Sequence, residues 1–351
     1  MYEVPCGVYN RSYKEDLAVV RTRSRWILFL IGIAIFLVSP FWISEGSMAV
    51  INTMAIWVVA AFGLNLLTGF CGEISIGHAA FMGIGAYVSA ILTGDYELSF
   101  WLALPLSGLA AGTAGLIFAL PSTRLKGFYL AIVTLAAQVI IVWVLSNWKS
   151  VTGGFEGLET PYVSIGGWEF ESEISWYYLS IMMAFVMGII AHNIGRSNVG
   201  RAFVAIRDND LAAEVMGINL FKYKSIAFFS GCGFAGFSGC LWAHYAGHIS
   251  PEFFNLHESI WFLGMIIVGG MGKTMGPVFG VVFIFLLKRV ITISVPVISE
   301  YLPSMGAQAL SSLGLMTFGV VVAFFLIIEP RGIAHWWDKV KNFYRIWPFS
   351  Y

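Results

Sequence analysis

An all-α, polytopic bundle of membrane-spanning helices is the fold class this sequence predicts, and three observations predict it. The 351 residues are 58% hydrophobic and 11% charged, with a mean hydropathy of +0.79, too apolar to cover a water-facing surface. The apolar residues gather in continuous runs long enough to cross a bilayer as helices, about 20 residues each, whereas a barrel needs short alternating segments. The charges between these runs are segregated by sign along the chain.

Taken in order, the runs place spans near 26–43, 47–69, 75–94, 100–121, 127–148, 176–194, 225–247, 258–271, 274–295 and 305–328. Arg11, Lys14, Arg21, Arg23 and Arg25 precede the first, but no small-residue cleavage site follows it, so it reads as an uncleaved span. Alternation from a cytoplasmic N-terminus gives an arm over 1–25, a transmembrane domain over 26–333 with its longest internal loop at 195–224, and a cytoplasmic tail over 334–351. All but three of the twenty basic residues then lie inside, the exceptions being Lys149, Lys288 and Arg289, while Glu97, Glu156, Glu159, Glu171 and Glu252 lie outside. Miscounting one span would set the basic 195–224 loop against the basic N-terminus, so an even count is favoured. The short runs 75–94 and 258–271 are the least secure, and each opens with a Ser-Ile pair, Ser75-Ile76 and Ser259-Ile260. Transporters line a midplane path with broken helices at matching places in two halves, and an internal repeat is one reading of the pair. Small residues such as Gly83-Ile84-Gly85-Ala86 and those from Gly231 to Gly239 favour close helix packing, with a pathway lining as their other use.

Several kinds of chemistry are disfavoured. Net charge is zero, which leaves no nucleic-acid footprint, and Cys6, Cys71, Cys232 and Cys240 lack metal-ligand or disulfide spacing. No metal site is expected. The tract Val268-Gly269-Gly270-Met271-Gly272-Lys273-Thr274 ends like a phosphate loop but has Ile267 where the first glycine belongs, and both flanks are spans. It reads as a hinge, with no ATP bound by this chain. The histidines are scattered, without HExxH or GxSxG, so no catalytic residues are assigned.

Polar groups interrupt an apolar stretch at Asn65, Thr68, Gly69, Ser75, Gly77 and His78. A zwitterionic solute leaving water needs such hydroxyl and backbone partners, so these residues are the candidate substrate pathway. For His78 the alternative is a packed histidine bonded to neighbouring backbone, and for Glu73 a place in the aqueous turn between spans. In the internal loop, Asp208, Asn209 or Asp210 is suited to cap a short helix that Gly217 ends. Such a helix either rests on lipid headgroups or docks a soluble partner.

Several tracts, in order, resemble the M-type permease subunit of branched-chain amino acid (Liv-type) ABC importers. They are Gly63-Leu64-Asn65-Leu66-Leu67-Thr68-Gly69 with Ser75 to Phe81; Thr152-Gly153-Gly154 with Gly157-Leu158; Ala212-Ala213-Glu214 with Gly217, continuing to Lys224-Ser225-Ile226; Ala235-Gly236-Phe237-Ser238-Gly239; Gly269-Gly270-Met271-Gly272 with Gly276-Pro277; and Pro330-Arg331-Gly332. The resemblance covers roughly 47–333. It implies a multi-pass protein of a bacterial or archaeal plasma (inner) membrane, paired with a second related permease, two cytoplasmic ATPase subunits that bind ATP, and an external solute-binding protein. It also implies that the loop couples to the ATPases through Arg207, Asp208, Ala212, Ala213, Glu214 and Gly217. Ala212 and Ala213 would permit close approach, Arg207 and Glu214 rim contacts, and Gly217 a sharp exit. The expected cargo is a branched-chain or related neutral amino acid, urea or a short amide. An ion-coupled secondary transporter is the runner-up, but nearly all carboxylates fall in loops. A membrane enzyme lacks a catalytic constellation, and a structural scaffold leaves the broken spans unexplained.

Overall fold

The computed structural model describes residues 36–122, 127–165, 168–301, 307–329 and 331–346, together with Ile27, Gly32 and Leu125. The chain divides into two compact units, Met1–Ala49 and Val50–Tyr351. In the first, Pro40 is buried in a 3-10 turn, Ser39–Phe41, closed by the Trp42 N–H on the Ser39 carbonyl. Of the predicted span 26–43, residues 26, 28–31 and 33–35 lie outside the described residues.

Helix α1, Glu45–Leu64, continues as a π-helix over Asn65–Phe70, whose wider turn leaves the N–H of Cys71 on Leu66 O. A non-helical stretch, 71–77, follows, and then α2, His78–Gly94. Next come α3, Phe100–Ser122; α4, Phe128–Asn147; and α5, Glu173–Arg196. Two short helices, α6 (Asn198–Asp208) and α7 (Asp210–Val215), precede α8, Leu220–Ala246. The chain closes with α9, Leu256–Gly269; α10, Gly276–Tyr301; α11, Ala307–Ile328; and α12, Ile333–Ile346.

The expected all-α architecture is present, but its ten spans resolve differently. Six described helices are long and apolar enough to cross a membrane, or seven if the bent pair α11–α12 counts as one. Helices α2 and α9 fall short: 75–94 loses its first residues to the non-helical 71–77 stretch, and the 258–271 run holds a helix of only fourteen residues, Leu256–Gly269. At 1.5 Å per residue they reach only about 25 and 21 Å, less than a hydrocarbon core of about 30 Å. The tail, for which no structure was foreseen, is helical, with Lys273 paired to Asp338.

Helix α8 is the centre of the second unit, and small residues explain why. A Cβ at Gly85 would collide with the Gly236 backbone, and one at Gly239 with the Met82 carbonyl, so α2 and α8 touch main chain to main chain. Gly63 and Gly231 bring α1 equally near α8. Close packing therefore accounts for these glycines. Outward-facing Leu102, Leu109, Ile117, Ile132, Ile140, Trp143, Phe185 and Ile189 on α3, α4 and α5 form an apolar surface suited to lipid.

Away from the Phe70 end of α1, short ribbons cover the bundle: Leu158–Glu159 pairs with His248–Ile249, and Ser164–Ile165 with Trp168–Glu169. The acidic stretch before α5 has one defined use. Glu173 accepts hydrogen bonds from Asn52 (2.8 Å) and Tyr245 (3.0 Å), joining α1, α5 and α8.

Candidate functional site

The two half-length helices start from one place. The Ala79 N–H of α2 donates to Ser259 Oγ of α9 at 2.9 Å. Gln138 of α4 accepts from both the Ala80 N–H (3.0 Å) and Ser259 Oγ (2.9 Å), and its amide donates to Phe254 O. Thr134, one turn from Gln138, accepts from the Ile76 N–H at 2.9 Å. Orphan donors at a helix start must find partners when buried, and here side chains from two other helices supply them.

Depth follows from His78, whose Nε2 donates to Ala60 O at 2.8 Å. Ala60 lies ten residues from the Phe70 end of α1, so α2 begins about 15 Å above that end, near mid-membrane. From this level α2 runs away from the Phe70 end. Helix α9 runs toward it, because the Gly270–Lys273 turn that follows docks on Asn65. Two half-helices thus leave a common midplane junction in opposite directions, α2 entered from the non-helical 71–77 stretch and α9 from a 3-10 turn over Pro251–Phe254, and transporters use such paired half-helices around a binding site. Ser75 and His78 are fully buried there, and Ser75 Oγ and His78 Nδ1 have no hydrogen-bond partner among the described residues.

The predicted pathway residues separate into two groups. Ser75, Gly77 and His78 belong to the junction. Gly77 lies so close to α4 that a Cβ would strike the Thr134 carbonyl oxygen. Asn65, Thr68 and Gly69 lie lower and act as hooks: Asn65 accepts from the Gly272 N–H (2.9 Å) and donates to Lys273 O (3.0 Å), Thr68 donates to Glu73 O (3.0 Å), and Gly69 O accepts from Arg207 (3.0 Å). In the tract Val268–Thr274, Val268 and Gly269 end α9 and a turn follows, with Gly270 and Gly272 at positive φ. Glu73 corrects the alternative that placed it in an aqueous turn: it is buried and paired with Lys224 at 2.6 Å.

In the loop, Asn209 is the cap, accepting from the Ala212 N–H at 3.0 Å, and Gly217 follows the helix with φ +87°. A second helix, α6, precedes it, capped by Ser197. Arg207 pairs with Asp208 at 2.9 Å, while Ala212, Glu214 and Gly217 are exposed. Ala213 differs from expectation. It is buried in the chain's own fold, because its face of α7 turns inward, so it offers no close approach to a partner. The outward face instead carries Leu211, Val215 and Met216, at 65, 87 and 82% exposure.

Reading the sequence missed Thr134, Gln138, Ser259 and Lys224. Ser259 carried a signal through the repeated Ser-Ile pair, and Lys224 lies in a tract of the family resemblance that assigned it no role; Thr134 and Gln138 are single polar residues in an apolar run. Among the described residues no cluster of three His, Cys, Asp or Glu is placed to hold a metal ion.

Residues 47–328 match the family described as "Branched-chain amino acid transport system / permease component". The chain is 31% identical over 287 residues to the high-affinity branched-chain amino acid transport system permease protein LivM of Salmonella typhimurium, covering 75% of this chain and 68% of the relative. It is also 31% identical over 271 residues to the Escherichia coli protein of that name, covering 70% and 64%. A probable LivM of Methanocaldococcus jannaschii is 27% identical over 240 residues, covering 66% and 67%. The chain therefore spans about two thirds of the length of these relatives. No solved structure gives a significant match.

Proposed function

This chain belongs to the family of permease components of branched-chain amino acid transport systems, a family of membrane transport subunits rather than enzymes, and from that premise we propose its place in an ABC importer. It translocates branched-chain or related small neutral amino acids. The observation that carries a translocating role within the chain is the junction of α2 and α9, where helix starts, Ser75, His78, Ser259 and Gln138 meet near mid-membrane. A zwitterion crossing the bilayer needs hydrogen-bonding groups at that depth.

The importer comprises this chain, a second related permease, two cytoplasmic ATPase subunits that bind ATP, and an external solute-binding protein. It resides in a bacterial or archaeal plasma membrane. Reconstitution of the complex in liposomes should give uptake of labelled leucine that requires both ATP and the loaded binding protein. Uptake that persists without ATP and collapses with an ionophore would establish the ion-coupled alternative instead.

Both termini face the cytoplasm, as the basic loops favour. In a cysteine-free background, single cysteines at Ser150 and Glu214, both exposed, should label from opposite sides of the membrane. Labelling of both from one side would overturn this orientation.

A further inference from the structure

We propose that the buried Glu73–Lys224 ion pair, together with Arg207, is the positioning element that passes movement of the 195–224 loop into the non-helical segment leading to α2; this rests on the permease reading above. Glu73 and Lys224 keep only 7% and 3% of their side-chain surface exposed, with 2.6 Å between them. Removing two charges from water is unfavourable, and an apolar pair of similar volume often packs as well, so stability alone does not explain the pair.

Its connections do. Lys224 stands in the early turns of α8, directly after the loop, and also donates to Ser122 O at the end of α3 (2.9 Å). Glu73 is fixed to the π-helix through its own backbone: its N–H donates to Leu67 O (3.1 Å) and its carbonyl accepts from Thr68 (3.0 Å). Arg207, at the C-terminal end of α6, donates to Gly69 O and lies against Gly72, where a Cβ would come within 2.8 Å of its Cγ. Side-chain links from α6 and α8 thus converge on residues 69–73, only a few residues before Ser75 and His78. A cleft of about 330 Å³ lies between these parts, lined by Gly72, Glu73, Arg207, Asp208, Asp210 and Lys224. The elbow at Asn209 faces that cleft, so beside the apolar packing of Phe203 and Ile206 the loop and segment are also joined by directed charge contacts. Attraction between charges in a poorly polarisable interior survives ångström-scale displacement that would break a packed contact. A rigid displacement of α6 and α7 is thereby transmitted to the entrance of α2.

The test uses the complete reconstituted complex with Glu73→Gln, the neutral double variant Glu73→Gln/Lys224→Gln, and the exchanged pair Glu73→Lys/Lys224→Glu. Three quantities are read: ATPase subunits retained on purification, hydrolysis with loaded binding protein, and leucine taken up per ATP. Glu73→Gln and the neutral double are expected to keep the ATPases bound and hydrolysing while uptake per ATP falls about tenfold, within the range a coupling contact commands. The exchanged pair is expected to recover most of that loss. Should Glu73→Gln fail to fold, the neutral double, which leaves no unpaired buried charge, decides the matter. Parental uptake per ATP in the neutral double, or losses of assembled complex that match losses of uptake, would reduce the pair to a structural contact. If the parent complex shows no ATP-driven uptake, the permease reading itself falls, and this proposal with it.

Discussion

Gly77→Leu is expected to reduce uptake to background, and Gly77→Ala to reduce it by about ten- to a hundredfold, while the ATPase subunits still co-purify. Gly77 adopts φ −109°, which any residue tolerates, so backbone strain plays no part. The cause is contact: the new Cβ would strike Thr134 O on α4, and α2 and α4 must move apart. That displacement strains the bonds from Ile76 N–H to Thr134 and from Ala80 N–H to Gln138. A buried donor left unpaired costs about 1–3 kcal/mol, so at about 1.4 kcal/mol per factor of ten the loss of one of these bonds corresponds to about ten- to a hundredfold, and the larger Leu side chain, which breaks both, costs more. The Phe70 end of α1 and the loop helices lie away from this contact, which is why ATPase binding survives. Uptake by Gly77→Leu at the parent rate would remove the junction from the pathway.

Replacing Leu211 and Val215 together by Asp is expected to abolish ATPase association while leaving the permease folded. The two residues lie four apart on one face of α7 and keep 65 and 87% of their surface exposed, so neither contributes to the permease core. If a partner covers this face, each side chain contributes about 1.5–3 kcal/mol of apolar burial, and a carboxylate in its place must also be desolvated. Affinity should fall at least about a hundredfold, measurable by co-purification and by loss of stimulated hydrolysis. Gly217→Val acts differently. With nothing within 4 Å of its Cβ and φ +87°, it distorts only the exit from α7, at about 1–2 kcal/mol. Ala213→Arg is a poor probe because it damages the permease's own packing. A helix that merely rests on lipid headgroups would leave ATPase association at the parent level in the Leu211/Val215 variant.

The sequence by itself determined the all-α membrane fold and most of the long helices, because lipid demands about twenty continuous apolar residues and such runs are visible without any partner. It also determined local features. The Asn209 cap and the Gly217 stop depend on residues within a turn of each other, so their chemistry is written in the adjacent letters. Pattern could not say that 75–94 and 258–271 are half-helices rather than spans. What fixes the buried junction where they start is polar bonding between distant residues: Ala79 to Ser259 across 180 positions and Ala80 to Gln138 across 58. For the same reason Glu73 resembled a loop carboxylate until the fold buried it against Lys224. Periodicity and hydropathy report which solvent a segment prefers. Which buried polar groups satisfy one another is decided only when helices far apart in the chain pack together, because the cost of burying each group is set by the partner it meets there.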